Sequence, residues 1–250
     1  MIALDPWAWA ALGVAAVVIG ISKTALPGAN ILAIALFATV LPARLSTAAM
    51  LLLLIVGDVF ALIAYRRHAH WPTILRLAPA VIAGLLLGFA FLALTGDGAV
   101  RRAIGVILLV MIAVTLWRRW RQSRADAVAR EPGRGILLAG VYGSLGGFST
   151  MVANAGGPVM SMYFLATRTS VQVFLGTAAW FFAIINLVKV PFLAGLGLFE
   201  PPILLLDAVL APLVVVGALG GLAVARRLDQ RLFDRIVIAL TVVGAVYLLF

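Results

Sequence analysis

Cysteine is absent from this chain, and histidine occurs only twice, at His68 and His70. Without cysteine there are no disulfides, thiolate metal ligands or thiol chemistry. The two histidines share a short basic stretch and read as a solvated pair, so no metal is expected. Charge is also scarce: charged residues make up 11% of the 250 positions, against 64% hydrophobic ones. A soluble surface needs more charge than this, and apolar runs of about twenty residues, the length that spans a bilayer, recur along the whole chain. The chain therefore reads as a multi-pass protein of the cell inner (plasma) membrane, in contact with lipid. The first apolar run follows Asp5 and Pro6 without a basic lead, and is read as a membrane segment rather than a cleavable signal. Neither a Walker sequence nor an HExxH motif occurs. The apolar runs hold no serine–histidine–acid set and no carboxylate pair. An enzyme is not expected, and neither is a cofactor.

What is present is a pattern of interrupted helices. All-α membrane segments are expected at Trp7–Phe37, Ser46–Tyr65, Ile74–Leu94, Ala103–Trp120, Ile136–Leu165, Val173–Phe192, Ile203–Ala225 and Phe233–Phe250, eight in all. The fifth contains GSLGGFSTMVANAGGPVMSMYF, too rich in glycine and small polar residues for an unbroken helix. Proline begins helices well and disturbs their interiors. The expected form is two short helices around an opened segment, roughly from Phe148 to Gly157. A matching break lies in GISKTALPGANILAIALF, with Pro27 and Gly28 opening its second helix.

The halves resemble each other in order. A shift of 129 positions brings Pro27–Gly28 onto Gly156–Gly157, and with one added residue Ser46-Thr47-Ala48 onto Gly176-Thr177-Ala178. Residues 1–120 read as a first repeat, 121–135 as a cytoplasmic linker and 136–250 as a second repeat, each repeat a broken segment plus three spans. Arginine decides their orientation. If each broken segment returns to its starting side, 14 arginines share one face, and only Arg44, Arg101 and Arg102 lie on the other. If the broken segments cross once, the split is nearly even. The positive-inside rule favours the first arrangement, which makes the two repeats inverted and sets both termini outside. The formal charge of +10 thus reflects membrane orientation rather than nucleic-acid binding.

Inverted repeats would bring the two breaks together near mid-membrane, as in secondary transporters. Helix starts at Pro27–Gly28 and Gly157–Pro158, with Gly156 alongside, would then aim free N–H groups and positive dipole ends at one cavity. Lys23 and Thr24 would lie in the first break, with Asn30 just beyond it. Ser149, Thr150 and Asn154 would supply uncharged donors from the second. Neither break holds an acid, which suits a small oxyanion rather than a cation. Asp58 and Lys189 are ionisable groups inside spans, and so functional candidates. Asp58 would carry a coupling proton or compensate Lys23, and Lys189 would either serve the site or reach the headgroups past Pro191. Asn186 would face the cavity or bond backbone near that proline. Thr177, beside Gly176, would pack near the second break, and Trp180 would wall the cavity. Phe60, Phe181 and Phe182 read as core or lipid-facing. Gly217, Gly220 and Gly221 would serve either a homodimer contact or packing within one protomer.

At GISKTALPGANILAIALF and GGFSTMVANAGGPVMSMYFLA the sequence resembles the sulfite exporter TauE/SafE family, over essentially the whole chain. That resemblance implies a permease for a small sulfur-containing anion such as sulfite, sulfoacetate or another organosulfonate. It also implies that Lys23, Thr24, Pro27, Gly28, Asn154, Gly156, Gly157 and Pro158 frame the substrate. Asn30 stands where a small residue is common in the family, which bears on the choice of anion. An anion channel, and a permease for a different small carboxylate or oxyanion, are the alternatives.

Overall fold

The computed structural model describes residues 4–25, 29–122, 134–166 and 171–224. The expected segment Phe233–Phe250, the centre of the linker and the pair Pro27–Gly28 lie outside these residues. The described residues form helices joined by short turns. These are α1 (Pro6–Thr24), α2 (Asn30–Val40), α3 (Ala43–Tyr65), a 3-10 turn (Arg66–His68), α4 (Trp71–Leu94), α5 (Asp97–Gln122), α6 (Arg134–Ala153), α7 (Gly156–Ala166), α8 (Val171–Gly195) and α9 (Pro201–Val224). Among the described residues five stretches, Pro6–Thr24, Ala43–His68, Trp71–Leu94, Gln172–Gly195 and Pro201–Ala223, are long and apolar enough to cross a membrane.

Local sequence explains the ends. Proline opens α1, α4 and α9 in the first turn, where its missing N–H costs nothing. Both interrupted segments are split, giving the short helices α2 and α7 of 11 residues each. At 1.5 Å per residue each is about 16 Å long, half a membrane crossing. Most of α2 is buried, including Asn30 at its first position, so it is an interior helix with no solvated or lipid-facing stripe.

The opened segments are shorter than the strings suggest. α6 stays helical through Ser149 and Thr150 to Ala153, and only Asn154 and Ala155 interrupt it. Asn154 adopts a left-handed conformation, φ 54°, which asparagine tolerates better than most residues. Its own N–H still bonds Thr150 O at 3.0 Å, and Ala155 N–H reaches back to Ser149 O at 3.1 Å. The carbonyls of Ser149 and Thr150 are thereby satisfied without further unwinding. Likewise Lys23 and Thr24 belong to the last turn of α1 rather than to an open loop. Pro191 does not end α8, which continues to Gly195.

Two close pairings organise the bundle, α1 against α9 and α4 against α6. A Cβ on Gly20 would strike Val214 O and Ala218 N, and one on Gly147 would strike Val81 O and Leu85 N. Gly217 meets Val17 O as Gly84 meets Ser144 O, and Gly221 meets Thr24 as Gly88 meets Met151. Small residues let these backbones touch, which supplies dispersion where lipid offers no hydrophobic drive. Gly217 and Gly221 therefore serve packing within the protomer, while Gly220 meets nothing within 4 Å. Both pairs run parallel, since Gly13 meets Leu213 where Val17 meets Gly217, and Gly143 meets Ala80 where Gly88 meets Met151. Between them α3 and α8 run antiparallel: Asp58 bonds Asn186, and further along α3 the Tyr65 carbonyl lies beside Gly176.

Candidate anion cavity

The functional candidates gather where the ends of α1 and α6 meet the middles of α3 and α8. Lys23 reaches from the last turn of α1 to Asp58 on α3, Nζ to Oδ1 at 2.5 Å, with side-chain exposures of 10% and 3%. Asn186 of α8 donates to the other Asp58 oxygen at 2.6 Å. The Lys23 ammonium also stands over the Phe182 ring, 5.1 Å from its centroid, a favourable cation–π placement. Lys23 is thus compensated inside the protein, and Asp58 has taken the compensating part.

A second cation occupies the other break. Lys189, fully buried on α8, donates to Thr150 O at 2.6 Å and to Asn154 Oδ1. Its charge sits at the C-terminal end of α6, where the helix dipole favours a cation. It does not reach the headgroups, because these two acceptors hold it inward. Asn154 ties the break to its neighbours: its Nδ2 donates to Thr47 O of α3 at 2.9 Å, and its carbonyl accepts from Asn30 Nδ2 at 3.1 Å. Thr47 closes the ring by donating to Val152 O at 2.8 Å. The Asn154 amide, expected to offer a donor to the cavity, is already spent on this framework.

The cavity between these groups holds about 560 Å³ of space not filled by atoms, its open mouth included. Lys23, Asn30, Asp58, Thr150, Asn154 and Gly157 line it, together with Asn186. So do Ser22 and Phe182, neither of which the sequence alone assigns to a site. Ser22 carried a signal, a small polar residue beside Lys23 in an apolar run. Phe182 carried none, being one aromatic among many. Among the described residues no hydrogen bond engages the Ser22 or Thr150 hydroxyl. Gly157 adds an N–H from the first turn of α7, where no intrahelical acceptor exists. Gly156 leaves this approach open, because a Cβ there would stand 2.9 Å from Thr150 Cβ and 3.1 Å from the Phe182 ring.

Other expected site residues lie elsewhere. Thr24 donates to Ala218 O at 3.0 Å and its carbonyl accepts from Tyr65 OH at 2.6 Å, so it pins α1 to α9 and α3. The Ser149 hydroxyl bonds carbonyls of its own helix and of Ala155, and Pro158 is absent from the cavity lining. Thr177 accepts from the His70 N–H at 2.9 Å, and Gly176 packs on the 3-10 turn rather than beside the second break. Trp180 does not wall the cavity. It donates to Arg66 O at 3.2 Å and its ring lies 5.4 Å from that of Trp71, an arrangement at the end of α3. Both lie on the face of α8 opposite the stripe Leu175, Ala178, Ala179, Phe182 and Asn186 that lines the cavity. Pro27 and Gly28 lie outside the described residues.

A model of the sulfite exporter TauE/SafE family matches residues 12–248. No curated protein matches the chain, and no solved structure does.

Proposed function

The chain belongs to the sulfite exporter TauE/SafE family, and from that premise we propose that it carries a small sulfur-containing monoanion, sulfite or an organosulfonate such as sulfoacetate in its singly charged form, through the cavity between the two breaks. It is a multi-pass membrane transporter, not an enzyme, as its family is. The observation that carries the substrate reading is the charge of the cavity. Lys23 and Asp58 line the cavity and Lys189 stands behind it, bonded to the lining residues Thr150 and Asn154, so the formal charges leave one positive charge beside it in an apolar surround. Ser22, Lys23, Thr150 and Gly157, each with a donor group, line the same space, and one oxyanion would balance the charge and accept from them. Uptake of a panel of labelled anions into liposomes holding the purified protein tests this. Saturable flux is expected for sulfite and small sulfonates and little for cations of similar size. Flux linear in concentration and gated by voltage would instead favour an anion channel.

The cavity is read as lying between two inverted repeats, 1–120 and 136–250, each a returning broken segment and three spans. The antiparallel course of α3 and α8 supports this. If the broken segments crossed once, corresponding spans of the two halves would point the same way. The paired glycine contacts of α1 with α9 and α6 with α4 also correspond element by element under the repeat. The corresponding residues differ by 127 positions in α1 and α6, two fewer than the strings suggested, since packing rather than letter matching sets the pairing. Both termini outside and the linker inside follow. Cysteines introduced at Gly98 and Ser123 are expected to react with an impermeant reagent from opposite faces of sealed cells, Gly98 from outside. Labelling of both from one face would end the inverted-repeat reading. A homodimer is a further expectation; a monomeric mass in nanodiscs would remove it.

A further inference from the structure

One buried acid takes no part in the cavity. Asp207 lies in the second turn of α9, on the stripe Ile203, Leu206, Asp207, Leu210, Val214 and Gly217 that faces the protein interior. It is 6% exposed, and neither carboxylate oxygen has a hydrogen-bond partner among the described residues. A buried acid without partners is costly to keep in a membrane span, and marks a functional group by default. Among the described residues, the helices that pack closely on α9 are α1 and α3. Their titratable and charged groups are Asp5, before α1, and Lys23, with Arg44, Asp58 and Tyr65 on α3. None of them bonds Asp207. Lys23 and Asp58 bond each other, and Tyr65 bonds Thr24 O. The Arg44 N–H bonds Asp97, and its buried Nε meets no partner. Asp5 uses its carbonyl to start α1.

The register of α9 sets Asp207 relative to the cavity. Val214 lies against Gly57, whose missing Cβ also makes room for Lys23. Asp207 is two turns back along the same helix, about 10 Å from that level. It is therefore set apart from the Lys23–Asp58 pair and too far to touch an anion bound there.

We propose that Asp207 is a proton-carrying site, by which the transporter moves one proton together with its monoanion. The ligand is a proton rather than a metal cation for a reason of coordination. A hard cation requires several oxygen ligands. No second acid, amide or hydroxyl joins Asp207 among the described residues, and no group of three or more metal-ligating side chains does so anywhere in them. A proton needs only the carboxylate. It is taken from water on one face, forming an O–H bond on Asp207. That bond breaks on the other face, returning the proton to water and restoring the carboxylate. Monoanion and proton together carry no net charge, so the coupled step is electroneutral.

The inference rests on the transport reading, and two modes of flux separate the two. Full-length protein in liposomes is given labelled sulfite, first in exchange against internal sulfite at equal pH, then in net uptake driven by an acid exterior. Titration of sulfite itself contributes equally to every variant. Asp207→Asn is expected to exchange within about twofold of the parent protein, while the stimulation by the pH gradient falls at least tenfold. Retained stimulation would overturn the inference, as would equal loss of both modes in folded protein, or stimulation by a sodium gradient that the variant loses. Absence of exchange by the parent protein would overturn the transport reading and this inference with it. If Asp207→Asn fails to fold, Asp207→Glu, which keeps the acid on a longer arm, is expected to stay coupled with a displaced pH profile. An unchanged profile would then stand against a proton site.

Discussion

Asp58→Leu is expected to lower stability by about 3–5 kcal/mol, and adding Lys23→Met to recover most of that loss while leaving transport abolished. The single change strands an ammonium at 10% side-chain exposure whose only described hydrogen-bond acceptor is Asp58. It also strands the Asn186 amide, which donates to the second Asp58 oxygen at 2.6 Å. Removing one partner of a buried pair costs about that much because the remaining charge stays desolvated, whereas replacing both with apolar residues is often neutral. Met keeps the unbranched shape of the lysine stem, so the contact with Gly57 survives. The Phe182 ring meanwhile loses its cation. The double variant thus separates the two tasks of the pair, folding and function. Thermal unfolding in detergent, combined with flux in liposomes, reads both. Destabilisation that simply adds in the double variant would show that the two residues do not depend on each other, and the pair would lose its place at the centre of the site.

Asn154→Leu is expected to reduce the initial transport rate by about 100-fold, more than removal of any single cavity donor. Three losses combine. A γ-branched L-residue at φ 54° is strained by about 1–2 kcal/mol. Thr47 O loses its donor, and the buried Lys189 ammonium loses one of two acceptors; a bond to a charged group contributes about 1.5–3 kcal/mol. Together these exceed about 2.7 kcal/mol, the equivalent of 100-fold. The effect works through the shape of the break, because the Asn154 side chain spends its amide on the protein. Asn154→Gly tests that division: it removes the backbone strain and none of the polar losses, so its rate is expected between those of the parent and the leucine variant. A leucine variant at least as active as the glycine variant would refute the framework role of Asn154.

The chain alone determined the class and the break positions. Runs of apolar residues near the length of a bilayer, interrupted by proline and glycine, can be satisfied only by helices whose backbone bonds are internal. The helices α2 and α7 begin within a few residues of the expected points for that reason. Lys23, Asp58, Asn186 and Lys189 also stood out in one dimension, since polar groups are rare and expensive in such runs. Which partner each one takes was decided only by tertiary structure. Lys23 and Asp58 are 35 residues apart, and Asp58 and Asn186 are 128 apart; their meeting depends on how α1, α3 and α8 cross. Thr177 and Trp180 read as site residues, but the face of α8 that carries them turns to the end of α3 and the 3-10 turn. Phe182, two residues past Trp180 and on the other face of α8, stands under Lys23 instead. Asp207 attracted no notice in the sequence, because an acid near the start of a span is ordinarily at the membrane surface. The α9 face that turns inward, set by its glycine contacts with α1, is what buried it. Periodicity and composition are local properties of a chain, whereas the burial of a charge depends on what a second helix covers, and that is fixed by packing.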